Sequence, residues 1–217
     1  MAIKIQSSKD YVADAIKVVV YGSAGVGKTV LCSTAPKPII VSAEGGMLSL
    51  SSLDIPYVEV TNLEGLDECY RQLKSSEYET ICIDSLSEIA ELVLKRLKEG
   101  EKDPRQAYLK MAEAMLHMIR NFRDVKGKHV VFVTKMESRM DDLEIMQHRP
   151  ILPGQMLPTQ LPYMVDEVFC MIQDKQKRRL IQTESDRNRI CKDRSGKLEK
   201  FEEPNLTTIF QKIGVKN

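Results

Sequence analysis

Residues 18–36 of this 217-residue chain read VVVYGSAGVGKTVLCSTAP and give the clearest indication of its fold. At its centre is a G-x-x-x-x-G-K-T motif, made of Gly22, Ser23, Ala24, Gly25, Val26, Gly27, Lys28 and Thr29. Glycines let the main chain wrap so that successive N–H groups point at phosphate oxygens. An apolar run precedes the motif and a helical segment follows it, as a phosphate-binding loop requires. A glycine-rich turn that only reverses the chain would lack this context.

The loop predicts a site for ATP with Mg²⁺. Lys28 supplies a positive charge for the β- and γ-phosphates, and the Thr29 hydroxyl is a ligand for magnesium. A second apolar run, TICID, ends at Asp84. A carboxylate at the end of a buried strand can hold the hydration shell of the metal. The alternative is that Asp84 and Ser85 only start a helix.

Hydrolysis also needs a residue that orients or deprotonates water. Glu44 is the first candidate, because PIIVSAEGG places it just past a strand, at the predicted sheet edge that also carries Lys28 and Asp84. Glu88 is the second candidate, although a capping box with Ser85 also explains it. A surface carboxylate without a catalytic role remains the third interpretation of Glu44.

Short apolar runs alternate with helical patterns along most of the chain, which predicts an α/β fold with a mainly parallel sheet flanked by helices. We expect one domain, 1–217, with its core at 16–134. The proline-rich segment 135–162 lacks periodicity and predicts a functional loop or partly disordered region. Residues 163–217 predict antiparallel edge strands at 163–173 and 179–183, a basic tail and a short terminal helix at 206–213. The predicted strands are 16–21, 38–43, 57–60, 80–84 and 129–134, and the predicted helices are 63–74, 85–98 and 105–123.

Composition indicates which partners and which cellular location to expect. The net charge is +1, which gives no general reason to expect nucleic acid or membrane as a partner. The five cysteines are scattered and indicate reduced thiols. No apolar run approaches the ~20 residues that a bilayer requires, and the polar amino terminus lacks a signal sequence. These features predict a cytoplasmic protein.

With these motifs the chain resembles the RecA-like ATPase core, and more closely the phage-encoded minimal RecA-core proteins of single-strand annealing and recombination. The resemblance covers most of residues 16–194 and depends on YGSAGVGKT, IIVSAEGG, TICIDSLSE and VVFVTK. It implies a catalytic glutamate at Glu44 and a metal-binding aspartate at Asp84. It also implies a homo-oligomer, ring or filament, that acts on single-stranded DNA, with a single-strand-binding protein as a further partner and the host cytoplasm as location.

The resemblance also assigns residues after the core strands. A polar sensor of the γ-phosphate would fall on Thr134 or Lys135, where RecA typically has glutamine. The segment 135–162 would occupy the region of DNA-facing loops, with Arg139 and Arg149 among its DNA contacts. The long amino-terminal and carboxyl-terminal domains of bacterial RecA have no counterpart in the sequence. It therefore implies ATP-linked strand binding or annealing rather than full strand exchange.

A basic segment lies near the carboxyl terminus. Residues 175–200 contain ten Lys or Arg and four Asp or Glu, a net charge of +6 within a chain of net charge +1. The segment could form a groove for a phosphodiester backbone, or supply Lys192 or Arg194 as a finger onto the nucleotide of a neighbouring subunit. It could also be a solvated edge hairpin kept soluble by its charge.

Two other classes of P-loop protein compete with this interpretation. A small-molecule kinase would need an arginine-rich acceptor lid, which the helical segment 105–123 does not offer. A GTPase would need a base-specifying NKxD motif, whereas the chain has TKME at 134–137. We therefore expect an ATPase stimulated by DNA.

Overall fold

One ten-stranded sheet runs through the part of the chain that the computed structural model describes, residues 13–214. The polar amino terminus singled out in the sequence falls mostly on residues 1–12, outside the described part. The strands are β1 (Lys17–Tyr21), β2 (Pro38–Ser42), β3 (Tyr57–Glu59), β4 (Thr80–Asp84), β5 (His129–Met140), β6 (Met146–Ile151), β7 (Glu167–Gln173), β8 (Arg179–Gln182), β9 (Lys192–Asp193) and β10 (Phe201–Glu202).

Six α-helices are described. They are α1 (Lys28–Cys32), α2 (Leu63–Leu73), α3 (Leu86–Gly100), α4 (Pro104–Arg123), α5 (Met156–Met164) and α6 (Leu206–Ile213), and a 3-10 helix spans Gly46–Leu50. Ser85 caps α3 through a bond from the Glu88 N–H to its hydroxyl, as the capping box predicts. None of the helices within residues 13–214 is long and apolar enough to cross a lipid bilayer.

The strand order is β10-β8-β7-β1-β5-β4-β2-β3. The six strands from β7 to β3 in this order are parallel, whereas β8 and β10 extend the sheet antiparallel at one edge. Strand β5 lies between β1 and β4, so the strand that precedes the P-loop and the strand that ends at Asp84 are not neighbours. The predicted α/β class, a mainly parallel sheet flanked by helices with antiparallel edge strands near the carboxyl terminus, is confirmed.

The sheet is buried on both faces, which explains the nearly continuous apolar character of its strands. Val19 and Tyr21 pack on the face covered by α2, α3, α4 and α5, while Val18 and Val20 pack on the face covered by α1 and α6. Asp84 follows this alternation. Ile83 lies on the face covered by α2 to α5, and Cys82 lies on the face covered by α1 and α6. Because side chains alternate along a strand, Asp84 lies on the same face as Cys82, the one that α1 covers.

The segment 135–162 is not the loop that its prolines predicted. Strand β5 continues to Met140 and forms an antiparallel hairpin with β6, and α5 follows. Pro150 lies in a strand at the edge of the hairpin and Pro158 in the first turn of α5, positions that regular structure tolerates, whereas Pro162 lies inside α5. Proline counts alone therefore gave the wrong structure for this segment.

Strand β7 also differs from the prediction. The stretch from Tyr163 to Gln173 was expected to add an antiparallel edge strand, but α5 extends to Met164 and β7 pairs parallel with β1, Val18 opposite Glu167. The core sheet thus reaches beyond residue 134. The helix α5 provides the crossover that a parallel connection requires, and the sequence prediction had missed that helix.

At the sheet edge where the parallel strands begin, lysine ammonium groups donate hydrogen bonds to carbonyls at the ends of helices. In an α/β fold the helices end at this edge, and the carbonyls of their last turns lack intrahelical partners. Four ammonium groups donate to such carbonyls at or just beyond the ends of α4, α2, α5 and α6. The pairs are Lys17 with Val125 (2.8 Å), Lys128 with Ser76 (2.7 Å), Lys192 with Val165 (2.6 Å) and Lys197 with Ile213 (2.6 Å).

A buried carboxyl lies at the same edge. Glu167, the first residue of β7, is 1% exposed, and its Oε2 has no hydrogen-bond partner among the described residues. Asp193 faces it from β9, opposite in the strand register. Burial, together with the charge of Asp193, raises the pKa of Glu167 to about 8. Glu167 is thus a protonated acid at neutral pH.

Candidate functional site

The P-loop is held against β7 at its start. A Cβ on Gly22 would lie 2.5 Å from the Met171 carbonyl oxygen, so only glycine fits there. Gly27 has a φ of 110°, a conformation that a side chain would strain. Lys28 begins α1, and its ammonium donates to the carbonyl oxygens of Gly22 (2.9 Å) and Ser23 (3.0 Å). The loop thus curls around its own lysine, the arrangement that grips a phosphate.

Burial lowers the pKa of Lys28, while the charges of Asp84 and Glu44 oppose the shift. These two carboxylates act on the ammonium from the side of the loop that faces β4 and β2. Lys28, Asp84 and Glu44, which the sequence predicted at one sheet edge, are therefore close enough to interact electrostatically.

Thr29 and Asp84 meet directly. The Thr29 hydroxyl donates to Asp84 Oδ2 at 2.6 Å, although β5 separates β1 from β4. Burial raises the pKa of Asp84, and the bond from Thr29 opposes this shift. Ser42 lies opposite Asp84 in the strand register, and its buried hydroxyl has no hydrogen-bond partner among the described residues. Hard oxygen donors with an unsatisfied neighbour are a chemical environment that fits magnesium.

Glu44 lies beside this cluster. The N–H of Ala43 donates to the Asp84 carbonyl at 2.8 Å, which fixes the chain just before Glu44, and the Ser85 hydroxyl donates to the Glu44 carboxylate. The Glu44 side chain is exposed. Further along, a Cβ on Gly46 would lie 3.8 Å from the Thr29 hydroxyl oxygen. Glu44 therefore borders the space above Thr29 and Asp84 and remains accessible to water.

Glu88, the second candidate, is engaged elsewhere. Its Oε2 lies 2.7 Å from the ammonium of Lys135, which also contacts Glu91 at 2.8 Å. This ion pair joins the start of the β5–β6 hairpin to α3. The Glu88 carboxylate is therefore held between α3 and Lys135, whereas the Glu44 carboxylate borders the space above Thr29 and Asp84.

The two sensor candidates differ in position. Thr134 is fully buried in β5 and shares the parity of Phe132, which puts it on the face covered by α3 and α4, away from Asp84. Its hydroxyl has no partner among the described residues. Lys135 is half-buried and paired with acidic residues of α3, as described above. In this structure, neither side chain points freely towards the P-loop.

Arg139 and Arg149 lie on the two strands of the hairpin and line one cavity of about 580 Å³ with the turn at Gly154. Arg149 is paired with Glu137 at 2.8 Å, whereas Arg139 is exposed and has no ion pair among the described residues. The structure thus brings the two arginines together, with one of them partly neutralised.

The hairpin is tied to the P-loop strand through a buried phenol. Tyr21, the residue before Gly22, donates its hydroxyl towards the carbonyl oxygens of His148 (3.1 Å) and Ile190 (2.9 Å). Burial raises the pKa of Tyr21 far above its usual range. One side chain therefore joins β1, β6 and the loop that follows β8.

Lys192 and Arg194, the expected fingers, lie at the opposite end of the sheet from the P-loop of their own chain. Lys192 pairs in register with Val168 near the start of β7, and its ammonium donates to the carbonyls of Pro162 and Val165. Arg194 is paired with Asp166 at 2.9 Å. Both cations thus have partners within the chain.

The basic segment therefore does not form one surface. Lys192, Arg194 and Lys197 lie at the edge where the parallel strands begin, whereas the β7–β8 turn and Arg179 lie beside the P-loop. Arg179 is a site residue that sequence reasoning missed. A Cβ on Gly27 would lie 3.2 Å from the Arg179 Nε. Only the pairing of β7 with β8 reveals this proximity, and no motif marks it.

One protein-family model and several solved structures match the chain. A family model described as an AAA domain matches residues 14–195. No sequence among the curated proteins matches the chain. The similar solved structures include a KaiC-like protein from Pyrococcus horikoshii OT3, with 15% identity, 77% of each chain covered and a TM-score of 0.41. They also include the RadB recombinase, with 16% identity, 79% of this chain and 81% of that chain covered, and a TM-score of 0.45.

Proposed function

Because the chain belongs to the AAA domain family, we propose that it binds ATP with Mg²⁺ at the P-loop and hydrolyses the terminal phosphate. The observation that carries this proposal is the 2.6 Å bond between Thr29 and Asp84. It brings the end of β4 to the first turn of α1, beside the lysine that the loop surrounds. Thr29 and Asp84 would hold the metal directly or through its water shell.

Magnesium, when bound, supplies positive charge that offsets the charge on the phosphate oxygens. The chain's own groups do the rest. The P-loop amides and Lys28 orient the polyphosphate, and Glu44 accepts a proton from, or orients, the attacking water. The Ser85 hydroxyl holds the Glu44 carboxylate in place. Glu88 forms an ion pair with Lys135, and this pairing favours Glu44 as the water-activating residue.

We further propose that hydrolysis is coupled to single-stranded DNA, in line with the narrower resemblance to phage annealing proteins. Support comes from basic side chains at the P-loop edge that carry no ion pair among the described residues: Arg139, Lys175, Lys177 and Arg187. Such side chains contact phosphates without reading bases. The Tyr21 bonds give the hairpin a physical link to the nucleotide loop. A ring or filament, with a single-strand-binding protein as partner, belongs to the same proposal.

Calorimetry with MgATP and a phosphate-release assay test the nucleotide site. We expect Lys28→Ala to abolish binding, and Glu44→Gln to retain binding within about threefold while turnover falls by about 10²-fold or more. Glu88→Gln is the matched control, since it removes the same charge one turn from Asp84. Equal loss of turnover in both glutamate variants would contradict the assignment of Glu44, and a folded wild-type chain that binds no nucleotide would contradict the proposed function.

Stimulation of turnover by single-stranded DNA tests the coupling. We expect stimulation at low salt that declines steeply with added salt. Arg139→Gln should weaken the stimulation, whereas Arg120→Gln, an equal charge change on the distant surface of α4, should not. Turnover that ignores DNA but depends on a small acceptor would replace this proposal with a kinase.

A further inference from the structure

The β7–β8 hairpin carries an arginine to the outer side of the P-loop. Arg179 opens β8 and pairs with Gln173 at the carboxyl end of β7, the strand next to β1. Since the P-loop follows β1 at this same edge, the hairpin places Arg179 beside the loop. This side is opposite to the side of Thr29, Asp84 and Glu44, which lies towards β4 and β2.

Arg179 lies across Gly27. A Cβ on that glycine would be 3.2 Å from the arginine Nε and 3.3 Å from its Cδ. Met171 reaches the same point with its terminal methyl group, also at 3.2 Å. Because Gly27 has no side chain, the Cδ and Nε atoms of Arg179 can pack against it. The guanidinium therefore lies against the P-loop at Gly27.

The charge of Arg179 has no counterpart among the described residues. The side chain is exposed and makes no ion pair or hydrogen bond within residues 13–214. Its neighbour Arg178 is different, because its Nε contacts Asp174 at 2.8 Å. Lys28 donates to carbonyls of its own loop. Arg179 is therefore a cation in contact with the P-loop whose donors are all available for a ligand.

We propose that Arg179 binds the polyphosphate of the nucleotide within its own subunit, from the side of the loop away from the metal. This inference rests on the proposed function. A guanidinium stays charged at all relevant pH and presents paired donors that match phosphate oxygens. The phosphates are then held between Arg179 on one side and Thr29 with Asp84 on the other. Arg179 is thus a substrate-binding residue that is distant from the attacking water.

This position predicts which kinetic constant changes. A contact made equally in the ground state and the transition state changes binding and leaves the chemical step unaffected. We expect Arg179→Gln to weaken MgATP and MgADP binding alike, by about 10- to 100-fold, the range for a lost hydrogen bond to a charged group. The KM should rise by a similar factor, while kcat stays within about threefold.

The experiment measures the affinity of the full chain for MgATP and MgADP by calorimetry, together with steady-state turnover. Arg178→Gln is the matched control, since it removes the same charge one residue away and should leave both affinities within twofold. Arg179→Lys keeps the stem over Gly27 and the charge but loses the paired donors, so its affinities should fall between those of wild type and Arg179→Gln. If Arg179→Gln unfolds below the assay temperature, Arg179→Lys carries the measurement alone.

Nucleotide affinities of Arg179→Gln within twofold of wild type would overturn the inference while leaving the proposed function intact. The same holds if that variant loses only its response to single-stranded DNA, because Arg179 would then serve the nucleic acid. A wild-type chain that binds no nucleotide would instead refute the proposed function itself. Wild type is measured in the same series, so a failure of the Arg179 inference can be distinguished from a failure of the proposed function.

Discussion

The buried carboxyl of Glu167 predicts a specific dependence of stability on pH. Its pKa is about 8 in the folded chain, against an ordinary value of 4.5. Between these two values the folded chain retains a proton that the unfolded chain has released. The contribution of Glu167 to stability is therefore fully present below pH 4.5 and is lost as the pH rises through 8.

Replacement of Glu167 by Gln removes this titration and keeps a neutral side chain that can donate to Asp193. Each pH unit within the window corresponds to about 1.4 kcal/mol per titrating group. From pH 5 to pH 8 the free energy of unfolding of Glu167→Gln should therefore rise relative to wild type by about 4 kcal/mol. At pH 5 the two proteins should differ little.

Urea unfolding of both proteins at pH 5, 6, 7 and 8 measures this difference directly. Lys17 and His129 also have shifted pKa values, but Glu167 is not among the causes, so their titration affects both proteins equally. Asp193 and Lys192 interact with Glu167, so their response belongs to the measured difference. Glu199→Gln, an exposed carboxyl on the same edge, is the control and should run parallel to wild type. Parallel curves for Glu167→Gln and wild type would show that Glu167 is ionised in the folded chain and would refute the argument.

Three further predictions follow from single contacts. Lys192→Met should lower the free energy of unfolding by about 1–3 kcal/mol, because two carbonyls lose a charged donor; a loss of turnover without loss of stability would instead restore its role as a finger. Tyr21→Phe should speed amide hydrogen exchange in β6 and cost about 1 kcal/mol in thermal unfolding, and unchanged exchange would contradict the hairpin anchor. Asp84→Asn should weaken ATP binding more than tenfold with Mg²⁺ but less than twofold without it; equal losses would place Asp84 outside the metal site.

The core of the fold was predictable because its signals are local. The apolar run, the glycines and Lys28 lie within one short stretch, and a buried strand that ends in a carboxylate is a pattern that sequence displays. Helix α3 had its capping box at Ser85, and its predicted start agrees with the structure to within one residue. Glu44 was predictable because it lies just past a strand, two residues after the end of β2, and the structure brings it beside Asp84 through main-chain pairing.

The other features depend on contacts between distant parts of the chain. Nothing within β7 marks it as the parallel neighbour of β1, since that pairing follows from the crossover through α5. The prolines of segment 135–162 predict a loop, yet Pro150 lies in an edge strand and Pro158 in a first helical turn, and α5 continues through Pro162. Arg179 could not be chosen from the ten basic residues of its segment, because the β7–β8 register alone brings it to Gly27. The phage subtype stays a hypothesis.

Lys192 and Lys197, which donate to carbonyls at the ends of α5 and α6, reduce the positive charge that is available to a polyanion. Lys192 and Lys197 count fully in the formal charge of the basic segment, yet their ammonium groups are already solvated by carbonyl oxygens of the protein. A strand of nucleic acid would have to compete with those oxygens to recruit them. The number of counterions released on binding should therefore be smaller than the lysine and arginine content of the segment implies.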